Sequence, residues 1–329
     1  MAVYTSLVQQ DVEALLAQYN IGRLECYQEI SAGIENTNYF VTTILDDGSK
    51  KEWVLTLFEN LQSHELPYFC RLTRHLEQAG FDVPAPASNR QREAVFCLEN
   101  KPGVIVPRLS GQSLTQPDQQ ACAAMGEWLA NMHLALQSFS WKRALVRDAR
   151  WLKQQVERLM PVIKKEEFSV LEGYFRRYQQ YQPMLMACAQ GTVHGDLFRD
   201  NVLFQQGKIS GVFDFYHACD ATLLFDLAVV ANDWTLGNNG RHNAEKLASL
   251  TSAYQAIRPW SETEQKAWPY CLELAALRFW LSRLVSRYLP GYQQQSLSGE
   301  TIKDPDEMKR ILLSLADPLS ETPMPFIEP

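Results

Sequence analysis

Apolar residues recur at intervals of three and four through residues 5–19. Val8, Val12, Leu15, Leu16 and Tyr19 fall on one helical face, Thr5 or Ser6 is placed to cap the helix, and Gly22 follows its last turn. The pattern then becomes strand-like over 24–30, 38–45 and 52–58. Asp46-Asp47-Gly48-Ser49 joins the last two as a hairpin turn. Between the first and second strands lies a small polar turn, residues 31–38. Residues 62–79 return to helical spacing through Leu66, Phe69, Leu72 and Leu76, and Gly80 ends the run. Pro84 and Pro86 keep the next segment extended, and strands at 94–98 and 104–106 flank a Lys101-Pro102-Gly103 turn. Residues 1–107 thus read as a small lobe, an antiparallel sheet carrying one major helix.

A stretch rich in Pro, Gly and Ser, residues 107–117, marks the boundary. Beyond it helical spacing dominates, over 119–136, 149–163, 167–181, 221–234, 241–257, 262–288 and 303–315, interrupted by short apolar runs around residues 193–215. The expected organisation is α+β: a small first lobe of residues 1–107 and a larger, mainly helical second lobe of residues 108–329.

Length and composition narrow the class. The 329 residues suit two lobes better than one core. A net charge of −7, from 31 basic and 38 acidic residues, argues against a non-specific partner such as nucleic acid or an anionic membrane. No window approaches the roughly 18 apolar residues of a membrane span, and the N-terminal residues do not read as a signal peptide. Seven scattered cysteines without a CxxC pair read as reduced, buried thiols of a cytoplasmic protein and make a structural zinc site a poor expectation. Nothing in the sequence fixes an oligomeric state.

The chemistry concentrates in residues 193–204, VHGDLFRDNVLF. An apolar lead-in, a polar cluster and an apolar run describe a loop held between short strands. Asp196 and Asn201 stand five apart, and Asp214 follows a second apolar run, 209–215. A base, an amide and a carboxylate in this order are the parts of a metal-dependent phosphoryl-transfer site. Asp196 can accept a hydroxyl proton, while Asn201 and Asp214 offer oxygen to Mg²⁺, which prefers hard ligands and retains several waters. His194 is expected to brace the loop through a backbone hydrogen bond, and His133, on the apolar face of its helix, to be a satisfied core residue.

HGDLFRDN followed by GVFDFYHACDATLLFDLA resembles the aminoglycoside phosphotransferase and choline kinase superfamily, relatives of the eukaryotic protein kinases. SAGIENTNYFV, WVLTLFE, DFYHACD, ALRFWLSRL and KDPDEMKRILL narrow the resemblance to the bacterial homoserine kinases of that superfamily, over residues 5–315. The resemblance implies a two-lobe, protein-kinase-like fold and transfer of phosphate from ATP to L-homoserine, a step toward threonine. It implies Asp196 as catalytic base, Asn201 and Asp214 as Mg²⁺ ligands, and Asp226 as a carboxylate bracing the loop. Residues 31–38, with Ser31, Gly33, Asn36 and Asn38, would cover the ATP phosphates. Glu65 stands where the family places a partner for a strand lysine, and the segment after Val106 would meet the adenine. At that lysine's expected position, however, is Thr56, which lacks a charge to offer phosphate; Lys50, Lys51 and Arg71 are the nearby basic alternatives.

Homoserine carries a carboxylate, for which a forked arginine is the natural partner. Arg199 and Arg278 are the candidates, with Arg283 on the same helix as Arg278, and groups near Tyr216, His217 and Asp220 could hold the substrate ammonium. Two alternatives stay open: another hydroxyl kinase of the superfamily, acting on choline, methylthioribose or an aminoglycoside, and a nucleotide-binding pseudokinase, which Thr56 alone favours.

Overall fold

A computed structural model describes residues 5–30, 36–237, 240–289 and 304–316. The described chain divides into two compact units between Ser110 and Gly111. The expected phosphate-covering residues Ser31 and Gly33 lie outside the described residues.

The first unit is a five-stranded antiparallel sheet in the order β1-β2-β3-β5-β4, formed by β1 (Arg23–Ile30), β2 (Asn36–Ile44), β3 (Lys50–Phe58), β4 (Phe96–Leu98) and β5 (Lys101–Pro107). Alternation sets its two faces: Thr37, Tyr39, Val41 and Thr43 of β2 are buried, and the residues between them are only partly covered. Tyr39, Val41, Leu55 and Leu57 share one core with Val12, Leu15 and Leu16 of helix α1 (Gln9–Leu16). Asn38 and Thr56 stand opposite each other on the face away from α1, and the Thr56 hydroxyl donates to Asn38 Oδ1 at 2.8 Å.

Three local expectations are corrected here. Helix α1 starts at Gln9 with no side-chain cap, because the Thr5 hydroxyl is taken by Glu59 and Lys101. The β4–β5 turn lies at Glu99 and Asn100, both left-handed (φ 50° and 58°), not at Lys101-Pro102-Gly103. Gly103 sits within β5, where an added Cβ would come 2.4 Å from the Phe96 ring; packing, not turning, requires glycine there. The Asp46–Ser49 hairpin forms, with Asp47 Oδ1 accepting both the N–H and the hydroxyl of Ser49. Helix α2 spans Leu66–Gln78, four residues later in its start than its apolar spacing suggests, with Glu65 at the cap position.

The second unit is mainly helical. It comprises α3 (Gln119–Ala135), α4 (Ala149–Leu159), α5 (Lys165–Ala187), α6 (Leu223–Trp234), α7 (Ala244–Ile257), α8 (Glu262–Tyr288) and α9 (Pro305–Ala316). Two ribbons accompany them: β6 (Gln190–Val193) pairs with β9 (Cys219–Thr222), and β7 (Val202–Gln205) with β8 (Lys208–Val212). Every residue of α6 is buried, so this helix is the unit's axis. It begins at Leu223, because residues 219–222 pair with β6 instead of extending the helix. Helix α5 runs through Pro183 to Ala187, beyond its expected end at residue 181. The proline removes one hydrogen bond, while Tyr178, Tyr181 and Leu185 keep the helix packed. A Ser261–Glu264 capping box starts α8, and α3 meets α7 at Gly126, where a Cβ would lie 2.2 Å from the Leu250 carbonyl oxygen.

All seven cysteines are free thiols; Cys26 and Cys97 are exposed on the first unit's sheet, which corrects the expectation that all are buried. No described helix is long and apolar enough to cross a membrane.

Candidate functional site

The two ribbons build the site by register. The loop His194–Asn201 leaves β6 and enters β7; the segment from Phe213 to Ala218 leaves β8 and enters β9. Since β6 pairs with β9 and β7 with β8, the two connections are brought side by side. Asn201 precedes β7 and Phe213 follows β8, so they close the same end of one hairpin, where the Phe213 N–H donates to the Asn201 carbonyl at 3.1 Å. Asp214 comes next, in a left-handed conformation (φ 65°, ψ 53°) that turns the chain sharply into the Phe215–His217 turn.

The His194–Asn201 loop is held largely by side chains. Asn201 Nδ2 donates to the Asp196 carbonyl at 2.8 Å and lies 3.3 Å from Asp196 Oδ2, which ties the ends of the D-x-x-x-x-N stretch together. The amide N–H₂ is spent on the loop, so the opposite end, Oδ1, is the end available to a cation. His194 Nε2 donates to the Phe213 carbonyl at 3.0 Å, and Nδ1 faces the Asp196 N–H at 3.3 Å. Burial holds the His194 ring below the usual histidine value, against the pull of Asp226 and Asp196, so it stays neutral and serves as a link between the two connections. Gly195 has φ 81°, and an added Cβ would lie 2.8 Å from the His217 carbonyl oxygen. Asp226 of α6, itself fully buried, accepts the N–H of His194 at 2.6 Å and that of Gly195 at 2.7 Å.

Asp196 is 21 % exposed, and Arg278 Nη1 of α8 stands 4.0 Å from its Oδ1. Burial would raise the Asp196 carboxyl, but the charges of His217, Arg278 and Arg147 outweigh it and hold it below the usual carboxylate range. Arg278 is buried, with its guanidinium 4.1 Å over the Phe279 ring, and Phe279 packs edge-on against Phe198 of the loop. The positive side of the site is thus assembled from three separate elements.

Other expected residues are drawn elsewhere. Arg199 donates through Nη1 to the Thr115 carbonyl at 2.7 Å, its Nε lies 3.5 Å from Asp233, and its N–H donates to the same carboxylate. Its fork is committed to bracing the loop, so Arg278 rather than Arg199 is the arginine beside Asp196. Arg283 is bound to α9 through Glu307 and the Asp304 carbonyl. The Asp220 carboxylate, suggested for a substrate ammonium, is occupied by the Arg143 N–H, Lys142 and Thr192. Tyr216 lies half-buried in the turn after Asp214.

In the first unit, Asn36 opens β2, and its carbonyl accepts from Asn38 Nδ2 at 3.3 Å. Glu65 takes the Gln62 N–H on Oε2. Lys50 pairs with Glu25 and begins β3, six residues before Thr56. At the rise of a strand that is about 20 Å, which removes Lys50 as a substitute for the missing lysine. The most informative residue that sequence reasoning missed is Arg147. It lies in the connection between α3 and α4, and no local pattern marks it; only the pull of its charge on Asp196 identifies it.

Asn201 and Asp214 carry one neutral and one anionic oxygen, donors of the kind a hard cation would take. Among the described residues no three His, Cys, Asp or Glu side chains gather to cage a metal.

Comparison with known proteins gives the context. Residues 27–260 match the model of the phosphotransferase enzyme family. A protein named homoserine kinase from Methylobacillus flagellatus is 39% identical over 314 residues, covering 95% of this chain and 94% of its own. One of the same name from Cupriavidus necator is 37% identical over 337 residues, covering 99% of this chain and all of its own. Among solved structures, the amicoumacin kinase hAmiN, in complex with AMP-PNP and Ca²⁺, superposes with a TM-score of 0.68 at 17% identity over 92% of this chain and 93% of its own. Spectinomycin phosphotransferase with ADP superposes at 0.61 and 12% identity over 94% of this chain and 98% of its own. These likenesses show an α+β, protein-kinase-like fold.

Proposed function

This chain belongs to the phosphotransferase enzyme family, and we propose from that premise that it transfers the γ-phosphate of ATP to the side-chain hydroxyl of L-homoserine. The observation that carries the reading is the Asp196–Asn201 loop, tied by a 2.8 Å hydrogen bond and facing a buried Arg278, in a chain that matches homoserine kinases over nearly its whole length.

Asp196 orients the acceptor hydroxyl and takes its proton. The freed oxygen bonds to the γ-phosphorus as the bond to the bridging oxygen of ADP breaks, giving ADP and O-phospho-L-homoserine. The positive groups that hold Asp196 ionised keep it ready to accept that proton. Asn201 and Asp214 would hold Mg²⁺, which when bound offsets the phosphate charge. Arg278 would take the substrate carboxylate, a fork being suited to two parallel hydrogen bonds. His194 and Asp226 keep the loop in place from beneath. In the first unit, Asn38 and Thr56 are assigned to the nucleotide as a neutral, hydrogen-bonded pair in place of a lysine.

A coupled ADP-release assay over homoserine, choline, methylthioribose and an aminoglycoside tests the substrate. Turnover with homoserine well above the acceptor-free rate is expected. Turnover with choline and none with homoserine would reject the assignment. Thr56 at the lysine position is the one observation favouring a module that binds nucleotide without turnover; ATP binding with no activity toward any acceptor would establish that reading instead.

A further inference from the structure

Asp226 is held from behind as well as in front. His133 of α3 places Nε2 3.3 Å from Asp226 Oδ2 and Nδ1 2.8 Å from the Tyr254 hydroxyl of α7. His133 and Asp226 have no exposed side-chain surface, and Tyr254 is fully buried. A carboxylate oxygen only accepts, so the hydrogen at this contact sits on Nε2. In the neutral ring this tautomer leaves Nδ1 to accept, and the Tyr254 hydroxyl is then the donor. Burial keeps that phenol far from ionising, so its hydrogen is always present to give. The polar contacts therefore run one way. Tyr254 donates to His133, His133 to Asp226, and Asp226 accepts in turn the N–H groups of His194 and Gly195. Behind Tyr254, the Arg258 guanidinium lies 5.8 Å from its ring centroid and pairs with Glu264, the glutamate of the α8 capping box.

We propose that His133 is a positioning residue for phosphoryl transfer. Through Asp226 it fixes the backbone of the loop that carries Asp196, and Tyr254 anchors the other ring nitrogen. Three helices, α3, α6 and α7, are joined to the loop by this buried chain. Hydrogen bonds arranged head to tail in a dry interior reinforce one another. Losing one link leaves Asp226 with less than its full set of donors, and a buried acceptor so deprived is costly. The effect reaches the base two residues beyond His194, not the groups that bind substrate.

The inference rests on Asp196 being the base, and its test separates the two claims. Three variants are compared, each with its melting temperature measured so that rates refer to folded protein. H133L removes both hydrogen bonds. H133N retains an N–H that can reach Asp226. Y254F keeps the ring and removes only the hydroxyl, and it serves if H133L does not fold. For H133L, kcat is expected to fall roughly 10- to 100-fold with KM for ATP and homoserine within about twofold, partly recovered in H133N, with a smaller loss in Y254F. Amide hydrogen exchange over residues 193–196 is expected to quicken in H133L and Y254F without any substrate present. Unchanged exchange at these amides in both variants overturns the proposal whatever the acceptor is. Equal kcat losses in H133L and H133N, or KM rising in step with the fall in kcat, also overturn it. Absence of homoserine turnover in the unaltered protein instead counts against the substrate reading, and the exchange result still decides the role of His133.

Discussion

Asp196 and Arg278 face each other across 4.0 Å, yet they are proposed to do different things, and kinetics can tell them apart. Asp196→Ala is expected to lower kcat by about 10³-fold with ATP binding retained, since a positioned base contributes on that order. An unchanged kcat would remove Asp196 from the proton transfer. Arg278→Gln is expected to lower kcat/KM for homoserine by roughly 10- to 100-fold, the worth of a charge-assisted hydrogen bond. The control is 3-amino-1-propanol, which is homoserine without its carboxylate. If Arg278 binds that carboxylate, R278Q leaves the slow reaction of this analogue unaltered; an equal loss on both acceptors would mean Arg278 acts on Asp196 instead. Residue identity alone could not separate Arg199 from Arg278, because both are forks of the same chemistry. Asp233 and the Thr115 carbonyl, distant in sequence, are what turn Arg199 away.

At the scale of elements, the site depends on two hairpin-like ribbons and on the helices packed behind them. The ribbons were legible as short apolar runs, but their pairing was not. The run before His194 pairs with residues 219–222, so what reads as the first turn of α6 is a strand. Helix α3 carries His133 and packs tightly on α7 at Gly126. Gly126→Ala would place a methyl 2.2 Å from the Leu250 carbonyl oxygen and force the helices apart. A stability loss of about 1–3 kcal/mol is expected from such overpacking, against the gain alanine usually brings to a helix. Denaturant unfolding of the variant checks this, and a stabilised G126A would show that the helices can separate freely. If the helices shift, the His133–Tyr254 contact is stretched as well, so kcat should fall along with stability.

For the whole molecule, stability should depend on pH through histidines kept neutral by burial. His242 is pushed down to about 4, with Nδ1 held at 2.8 Å to the Thr235 hydroxyl. Its unfolded value is about 6.5, so between about 6.5 and 4 the unfolded chain binds a proton that the folded protein refuses. Stability then falls as the pH is lowered through that window, by up to about 3 kcal/mol for this residue, and is fully present above it. Melting temperatures measured from pH 7.5 to 4.5 should decline over this range, and H242Q should decline less. A wild-type melting temperature that stayed level from pH 6.5 to 4.5 would contradict this.

The sequence by itself determined the kind of molecule: helical and strand periods, the hairpin at Asp46–Ser49, the apolar helices, and the spacing of Asp196, Asn201 and Asp214 are all short-range properties. It also sufficed to mark the family, because the relevant residues stand in contiguous stretches. What only the tertiary structure decided were the partners that such stretches choose among. Arg278 stands beside Asp196, Arg199 turns to Asp233, Asp220 is consumed by its neighbours, and His133 stands behind Asp226. Each of these is a long-range contact between side chains of ordinary identity. Charge and hydrogen-bonding capacity are written in the residue, but which of several equivalent partners receives them depends on packing that brings distant segments together.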